Sequence, residues 1–260
     1  IEFLHKVFTD LPFKPRLSCH LRLDVIARQP RMITLMHEMG LSSANFGIET
    51  FNQTAGKAIG KGADPELLKE TLFRLQEEWG DDVFTSANFI AGLPHETVDS
   101  LKSTFDWLHR PDVPLHGLSV NRLYISQVYP AINPPNFTNE QMINWGFIKG
   151  KRGWQYNNVS QMEVDAGKFN LEYGEEKFFM WKGEHLTAKT ADILVDEFYA
   201  DPTNADKKFS LTMFLNYNRI MNLGYTRDQV RDMYQNNPDT VVECINRRHN
   251  LRSEYLKKIL

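Results

Sequence analysis

Short apolar runs alternate with helix-like stretches along the first half of the chain. Runs rich in β-branched and aromatic residues predict strands at residues 17–23, 44–48, 82–90 and 118–125. Between these runs, apolar residues recur three and four positions apart, which is the spacing of an amphipathic helix. Strands that alternate with crossover helices form parallel sheets. The pattern therefore predicts an α/β fold with about four βα units.

Several of the predicted helices have recognisable end residues. Gly40 follows the first helical stretch and predicts its C-terminal end, because glycine readily adopts the left-handed conformation found there. Asp64 is suited to cap the next helix, and Pro65 to occupy its first turn. Thr226 and Gln229 form the pattern of a capping box further along the chain. These residues predict where individual helices begin and end.

The second half of the chain has a different pattern. Residues 130–185 are rich in proline, glycine, asparagine and aromatic residues with weak periodicity, which predicts an irregular connecting or capping region. Helical periodicity returns at residues 191–198, 211–221, 227–234 and 240–260. We therefore expect three parts, which are an α/β part at residues 1–129, the connecting region, and a mainly helical C-terminal extension at residues 186–260.

The composition is that of a folded protein in water. Of the 260 residues, 42% are hydrophobic and 24% are charged, which allows one sizeable core. The formal net charge is −3 and Lys and Arg form no long run, so there is no strong indication of nucleic-acid or anionic-membrane binding. No apolar stretch approaches the roughly 20 residues of a membrane span, and the N-terminus lacks a signal-peptide pattern. We therefore expect a cytoplasmic protein.

The two cysteines, Cys19 and Cys244, lie far apart and form no C-x-x-C pair, so the sequence offers no cysteine-based metal motif. The histidines show no zinc-binding spacing either. We therefore predict no metal ligands within this chain. The chain opens at Ile1 directly in an apolar helical pattern, which leads us to expect that it is a fragment of a longer protein.

Three segments stand out because each ends a predicted strand, at the edge where parallel α/β folds bind ligands. They are residues 22–24, 46–50 and 88–94. A carboxylate at such a position can accept hydrogen bonds from ribose hydroxyls or an ammonium group, and a glycine there lets a ligand approach the backbone. Ordinary turn chemistry is the alternative interpretation for each segment taken alone.

Taken together, four sequence phrases resemble the radical S-adenosylmethionine (SAM) superfamily over residues 16 to about 125. The phrases are LRLD at residues 21–24, FGIET at residues 46–50, IGKG at residues 59–62 and FIAGLPHET at residues 89–97. The resemblance is closest to the branch that includes cobalamin-dependent radical SAM enzymes and the oxygen-independent coproporphyrinogen oxidases. It implies an incomplete (β/α)6 partial barrel, in which the four units would be the third to sixth.

The resemblance also implies cofactors and partners. In the superfamily a C-x3-C-x2-C loop after the first strand holds a [4Fe-4S] cluster, so here its ligands would lie in an upstream segment outside this chain. SAM would bind at the strand ends, and a cobalamin domain upstream is one subtype. A flavodoxin- or ferredoxin-like reductant is expected for the parent enzyme. The sequence names neither a substrate nor a catalytic residue.

Position by position, the resemblance assigns cofactor-binding roles. Arg22 matches a polar position facing SAM and Asp24 is its neighbour, while Glu49 matches the residue that contacts the SAM amino acid or ribose. Lys61 matches a basic residue that pairs with the SAM carboxylate. For Arg22 the alternative is an ion pair with Asp24 or Glu49, and for Lys61 it is a solvated lysine at a helix end.

The third strand carries two further assignments. Asn88 matches a polar residue at the ribose, where an acid is common in part of the superfamily, and Ile90 matches a residue beside the adenine. Two other functions stay open from the sequence. One is a degenerate SAM-binding or scaffold module without redox chemistry. The other is an unrelated α/β barrel enzyme in which Asp24 and Glu49 act as general acid and base.

Overall fold

A four-stranded parallel sheet forms the centre of the computed structural model, which describes residues 1–123, 185–205 and 219–259. The strands lie side by side in chain order, and each pairs in parallel with the next. They are β1 (Leu17–Leu21), β2 (Leu41–Glu49), β3 (Phe84–Ala91) and β4 (Gly117–Arg122).

Helices connect the strands and make up the described C-terminal part. They are α1 (Glu2–Thr9), α2 (Leu23–Arg28), α3 (Arg31–Glu38), α4 (Gln53–Ala58), α5 (Pro65–Trp79), α6 (Val98–Leu108), α7 (Ala188–Ala200), α8 (Pro202–Ala205), α9 (Arg227–Asn236) and α10 (Pro238–Ile259). Four parallel strands with crossover helices confirm the predicted α/β fold, and the helical C-terminal extension is confirmed as well.

The predicted helix ends are confirmed by their hydrogen bonds. The Asp64 side chain accepts from the Glu66 backbone N–H at 2.9 Å, and Pro65 begins α5. Thr226 and Gln229 form a complete capping box at the start of α9. Each cap satisfies a backbone donor that the helix itself cannot satisfy. Local sequence therefore defines these borders.

The structure differs from the sequence prediction just after the first strand. The prediction extended that strand to residue 23, but β1 ends at Leu21 and Leu23 begins the short helix α2. Leu23 and Ile26 are each 1% exposed. They lie three positions apart, so a helical turn directs both side chains into the core, whereas an extended strand would not. Tertiary packing thus decides between two conformations that the local pattern allows.

Apolar side chains on one face of the sheet pack against the helices. Phe46 of β2 is fully buried, and its ring stacks on that of Trp79 with 6.4 Å between ring centroids. The Trp79 indole N–H donates to the Ile33 carbonyl at 2.9 Å, which joins α5 to α3. Full burial of each large side chain contributes about 1.5–3 kcal/mol. This face therefore anchors the strands to the helical layer.

The opposite face of the sheet is polar. The register places Asn45 beside Ser86 and Gly47 beside Asn88, so hydrophilic residues of neighbouring strands form rows across this face. His20 of β1 lies beside Asn45 in the same row. A parallel strand buried on both faces is usually apolar throughout. The alternation seen here indicates a face that meets polar groups, and we call it the polar face.

The C-terminal helices form a second apolar cluster. Val230 and Met233 of α9 pack with Val241 and Cys244 of α10, and this cluster includes Phe84 at the start of β3. In the described part of the chain, no helix is long and apolar enough to cross a membrane. The predicted connecting region and helix 211–221 fall largely outside the described residues, and the division into three parts stays a prediction.

Candidate functional site

Two ion pairs lie at the C-terminal edge of the sheet. The first joins Arg22, which follows β1 directly, to Asp24 in the first turn of α2. Arg22 Nε donates to Asp24 Oδ1 at 3.1 Å and Nη2 to Oδ2 at 2.8 Å. This hydrogen-bonded pair raises the pKa of Arg22 and lowers the pKa of Asp24. Both side chains are therefore charged at neutral pH.

The second ion pair joins Glu49, the last residue of β2, to Lys61. Lys61 Nζ donates to Glu49 Oε1 at 2.7 Å and to the Gly47 carbonyl at 2.7 Å. The Lys61 side chain is 23% exposed and the Glu49 side chain 17%. A methyl group at Gly47 would lie 2.7 Å from Glu49 Oε1 and 2.9 Å from Lys61 Nζ. A side chain at this position would therefore displace the ends of the Glu49 and Lys61 side chains from the arrangement seen here.

Glu49 has a left-handed backbone conformation with φ of 71°. For a residue with a side chain, this backbone conformation is less favourable than the right-handed one by roughly 1–2 kcal/mol. The register between β2 and β3 also shifts between Gly47 and Glu49. Because strain of this kind concentrates at ligand sites, the end of β2 is a candidate site on geometric grounds as well.

The loop that follows α4 brings the two ion pairs together. Arg22 Nη2 donates to the Gly60 carbonyl at 3.1 Å, and the next residue is Lys61. Asn52 caps α4 by accepting from the backbone N–H groups of Thr54 and Ala55, each at 3.0 Å. The capped helix thus positions a loop that contacts both strand ends. Two cations and two carboxylates converge there.

A chain of hydrogen bonds on the polar face fixes the orientation of several side chains. Ser86 Oγ donates to the Ala44 carbonyl, so it accepts from Asn45 Nδ2 at 2.8 Å. Asn45 Oδ1 is then an acceptor, and Asn88 Nδ2 donates to it at 2.9 Å. His20 Nδ1 lies 3.3 Å from the same oxygen and must carry a hydrogen. The Ala44 carbonyl can only accept a hydrogen bond, and this determines which group donates in each of the following hydrogen bonds.

Ile90 lies on the polar face two residues beyond Asn88. It is half-buried, and the register places it beside Asn121 of β4. Ile90 packs partly against the apolar core at the edge where β3 ends, and its exposed part is an apolar position on the polar face. An apolar position of this kind provides a surface for one side of a flat ring.

Glu96 lies in the turn between β3 and α6 and is 3% exposed. Its Oε1 accepts from the Thr50 hydroxyl at 2.7 Å, and its Oε2 accepts from the backbone N–H groups of Gly92 and Leu93 at 2.8 and 3.0 Å. Burial raises the pKa of Glu96 to about 7, against the lowering effect of these three hydrogen bonds. The turn that Glu96 holds includes Gly92, whose φ is 97°.

The structure brings the six predicted residues to the same edge and face of the sheet, in two groups. Arg22, Asp24, Glu49 and Lys61 converge through the α4 loop, while Asn88 and Ile90 follow one another along β3. Arg22 forms the ion pair with Asp24 that was its alternative interpretation, whereas Lys61 pairs with Glu49 and is not a solvated lysine. Their cofactor roles stay predictions.

Sequence reasoning missed the roles of His20, Asn45 and Ser86, and it gave Glu96 no function. The common feature of His20, Asn45 and Ser86 is visible in the sequence, because polar residues occupy alternate positions in β1, β2 and β3. An alternating strand can also be a strand with one face in water, so the pattern alone does not identify a site. The hydrogen bonds between strands supply the missing information.

Comparison with curated proteins gives one similar sequence. The chain is 28% identical over 116 residues to the anaerobic magnesium-protoporphyrin IX monomethyl ester cyclase of Cereibacter sphaeroides. The match includes 44% of this chain and 18% of the cyclase, so the chain spans under a fifth of that protein's length. No family model matches the chain.

Two solved structures of TsrM from Kitasatospora setae, a radical SAM methyltransferase, have a similar fold. The structure with cobalamin and a [4Fe-4S] cluster has a TM-score of 0.50 at 12% identity, covering 97% of this chain and 50% of TsrM. The structure with tryptophan and the SAM analogue aza-SAM has a TM-score of 0.51 at 13% identity, covering 90% and 49%. The chain spans about half of TsrM.

These comparisons confirm the predicted resemblance to the radical SAM superfamily. TsrM and the magnesium-protoporphyrin cyclase both belong to that superfamily. At 12 and 13% identity the TsrM structures show a shared fold, and the sequence match to the cyclase is independent of that comparison. The four-stranded sheet therefore has a fold similar to part of the radical SAM methyltransferase TsrM.

Proposed function

We propose that this chain forms the SAM-binding part of a radical SAM enzyme. The observation that carries the proposal is the convergence of the Arg22–Asp24 and Glu49–Lys61 pairs on one loop at the C-terminal edge of the sheet. SAM carries an ammonium group, a carboxylate, a ribose and an adenine. The site offers both charges for the amino acid, amide groups for the ribose and an apolar residue for the ring.

Each predicted residue has a suitable role in this proposal. Lys61 would exchange its contact with Glu49 for the SAM carboxylate, and Glu49 would then accept from the ammonium group or the ribose. Asn88 would contact the ribose, and Ile90 would pack beside the adenine. Arg22, oriented by Asp24, would donate to the Gly60 carbonyl and thereby hold the loop that carries Lys61. Since both pairs are preformed, ligand binding would redistribute charges that are already present.

The residues of this chain do not fit the iron–sulfur cluster. Cys19 lies in β1 and burial raises the pKa of its thiol, while Cys244 is buried in α10. Two separate cysteines cannot supply a three-cysteine loop, so we propose that a segment outside this chain holds the [4Fe-4S] cluster. The cofactors supply the chemistry, in which a one-electron reduction cleaves SAM to methionine and a 5'-deoxyadenosyl radical. This chain would position SAM and exclude water.

The alternative is a SAM-binding or scaffold module without redox chemistry, which the two isolated cysteines favour. A barrel enzyme with Asp24 as general acid is less consistent with the structure. Arg22 lowers the pKa of Asp24, so the carboxyl group is ionised at neutral pH and has no proton to donate.

The test is an anaerobic assay of the full-length protein that contains this chain. After reconstitution with iron and sulfide, dithionite would replace the flavodoxin- or ferredoxin-like reductant that we expect in the cell. Production of 5'-deoxyadenosine from SAM would support the radical SAM function. SAM binding without 5'-deoxyadenosine would support the scaffold alternative, and added cobalamin would test the methyltransferase subtype.

A pair of lysine variants makes the assay specific for the site. Lys61→Met should abolish SAM binding, because it removes the ammonium group proposed to hold the SAM carboxylate. Lys57→Met removes the same charge from an exposed position on α4 and should bind SAM as the wild type does. Equal affinities of the two variants would contradict the assignment of Lys61.

A further inference from the structure

Glu96 is the only charged residue that is buried within the described ranges. Among the described residues its carboxyl group contacts no cation, and it accepts from one hydroxyl and two backbone amides. Burying a charge without a counterion is unfavourable, and proteins retain such groups where they satisfy several donors at once. The three donors of Glu96 come from two different strand ends.

The two segments that meet at Glu96 are the ones that border the proposed cofactor site. Thr50 follows Glu49 at the end of β2, and Gly92 and Leu93 follow β3. Thr50 Oγ1 donates to Glu96 and also accepts from the Asn52 backbone N–H at 2.9 Å. Asn52 in turn caps α4. Hydrogen bonds thus lead continuously from the turn after β3 to the helix that precedes Lys61.

We propose that Glu96 is a positioning residue, whose carboxyl group holds the loop after β2 and the turn after β3 in one fixed arrangement. The inference rests on the proposed function, since these two segments adjoin Glu49 and Ile90. Glu96 would act through the backbone and would touch no ligand. Loss of its carboxyl group would let the two halves of the site move independently and weaken binding at both.

Variants of Glu96 and Thr50 separate this role from simple packing. Glu96→Ala leaves two backbone amides and a hydroxyl without their acceptor. Glu96→Gln keeps an oxygen for the amides and offers its N–H to Thr50 Oγ1, so it should preserve the arrangement. Thr50→Val keeps the shape of the side chain but removes the link between the two segments. We therefore expect ligand affinity to fall least for Glu96→Gln, more for Thr50→Val and most for Glu96→Ala.

The measurement is calorimetric binding of S-adenosylhomocysteine to the full-length protein and its variants. We expect affinity about tenfold lower for Glu96→Ala, about threefold lower for Thr50→Val and within about twofold of wild type for Glu96→Gln. In the double variant Thr50→Val with Glu96→Ala, the two effects should not add, because either change breaks the same connection. Additive effects, or wild-type affinity for Glu96→Ala, would overturn the inference.

Thr71→Val is the matched control. Thr71 is 2% exposed, and its hydroxyl donates to the Leu67 carbonyl within α5. The substitution removes a buried threonine hydroxyl away from the strand ends, so it should leave the affinity unchanged. If Thr71→Val weakened binding as much as Thr50→Val, a general loss of stability would account for both results, and the positioning role would be wrong.

Amide hydrogen exchange tests the inference even if the proposed function fails. Exchange should become faster at residues 50–52 and 91–93 in Glu96→Ala and stay at the wild-type rate in Glu96→Gln. A wild-type protein that binds no S-adenosylhomocysteine would refute the proposed function, while faster exchange at both segments would still support the coupling. Unchanged exchange in Glu96→Ala would overturn the inference.

Discussion

The two outer strands of the sheet differ in what lies beside them. At β4, the backbone N–H of Val120 donates to the Tyr199 hydroxyl at 2.7 Å, and Arg122 pairs with Asp192 at 3.1 Å between Nε and Oδ1. At β1, no strand within the described ranges lies on the side away from β2. Helix α7 therefore closes one edge by side chains, and the other edge has the geometry that a further strand could extend.

The difference shows how a helix can take the place of a strand at a sheet edge. An edge strand is an aggregation hazard because its backbone groups can pair with another chain. Tyr199 reduces this hazard by placing a hydroxyl group where a neighbouring carbonyl would otherwise lie. The segment that precedes β1 in the chain instead has exposed apolar residues on and near α1, including Phe3 and Phe13 at 78% and 63% exposure.

Removal of Tyr199 should break the closed edge and have the largest effect. Tyr199→Ala removes a ring packed against Phe198 as well as the hydrogen bond to Val120. We expect the free energy of unfolding to fall by about 3 kcal/mol, measured by urea denaturation. Tyr199→Phe keeps the ring and should lose about 1 kcal/mol. Wild-type stability of Tyr199→Phe would show that the hydroxyl group has no part in closing the edge.

The turn after β3 should make stability depend on pH. The pKa of Glu96 is raised to about 7 by burial, so the folded state binds its proton more tightly than the unfolded state does. This stabilisation is complete below the unfolded pKa near 4.5 and is lost as the pH rises through 7. The contribution of Glu96 to the free energy of unfolding therefore changes by on the order of 3 kcal/mol over this pH range. Glu96→Gln should flatten the stability profile between pH 5 and 8, and an unchanged profile would assign the slope to other groups.

The ion pair at the closed edge should contribute less than Tyr199. The Arg122 side chain is 13% exposed and that of Asp192 is 40% exposed, so solvent partly screens the pair. Asp192→Asn should reduce the free energy of unfolding by about 1 kcal/mol, mainly because Arg122 loses its counterion. Denaturation in high salt is the check, since the difference from wild type should shrink there.

A substitution in the exposed segment before β1 should change self-association and leave the free energy of unfolding almost unchanged. Phe3→Lys replaces an exposed aromatic residue of α1 by a charge, and the free energy of unfolding should change by less than about 0.5 kcal/mol. Self-association of the isolated chain, followed by light scattering, should decrease. The matching change of an exposed residue on α10, Leu251→Lys, should have a smaller effect. The reverse order would place the association surface on α10.

Much of the fold was predictable because its determinants are local. Asp64 and Pro65 define the start of α5, and the spacing of apolar residues reveals the crossover helices. The end of β1 was not predictable, because Leu23 reaches the core only through the packing of α2 against the rest of the chain. The local sequence thus specifies the ends of helices that have capping residues, whereas tertiary contacts determine the ends of elements such as β1.

The candidate site was predictable in its residues and not in its contacts. The motif phrases gave Arg22, Glu49 and Lys61. They did not give the pairing of Lys61 with Glu49, which forms at a residue with a left-handed backbone conformation and beside the backbone of Gly47. Such geometry has no signature in residue spacing. The series of hydrogen bonds from the Ala44 carbonyl to His20 likewise depends on strand register, which only the assembled sheet defines.

At position 49, the left-handed backbone conformation favours glycine, whereas the pairing with Lys61 needs a carboxylate. Folding alone would favour glycine at that position, because glycine adopts the conformation without strain. A carboxylate facing Lys61 is retained there in spite of the backbone. In a lineage that had stopped using its ligand, neutral drift to glycine would relieve the strain and harm nothing. Residue 49 is thus a position at which the loss of an ancestral activity would be expected to show early in a gene's history.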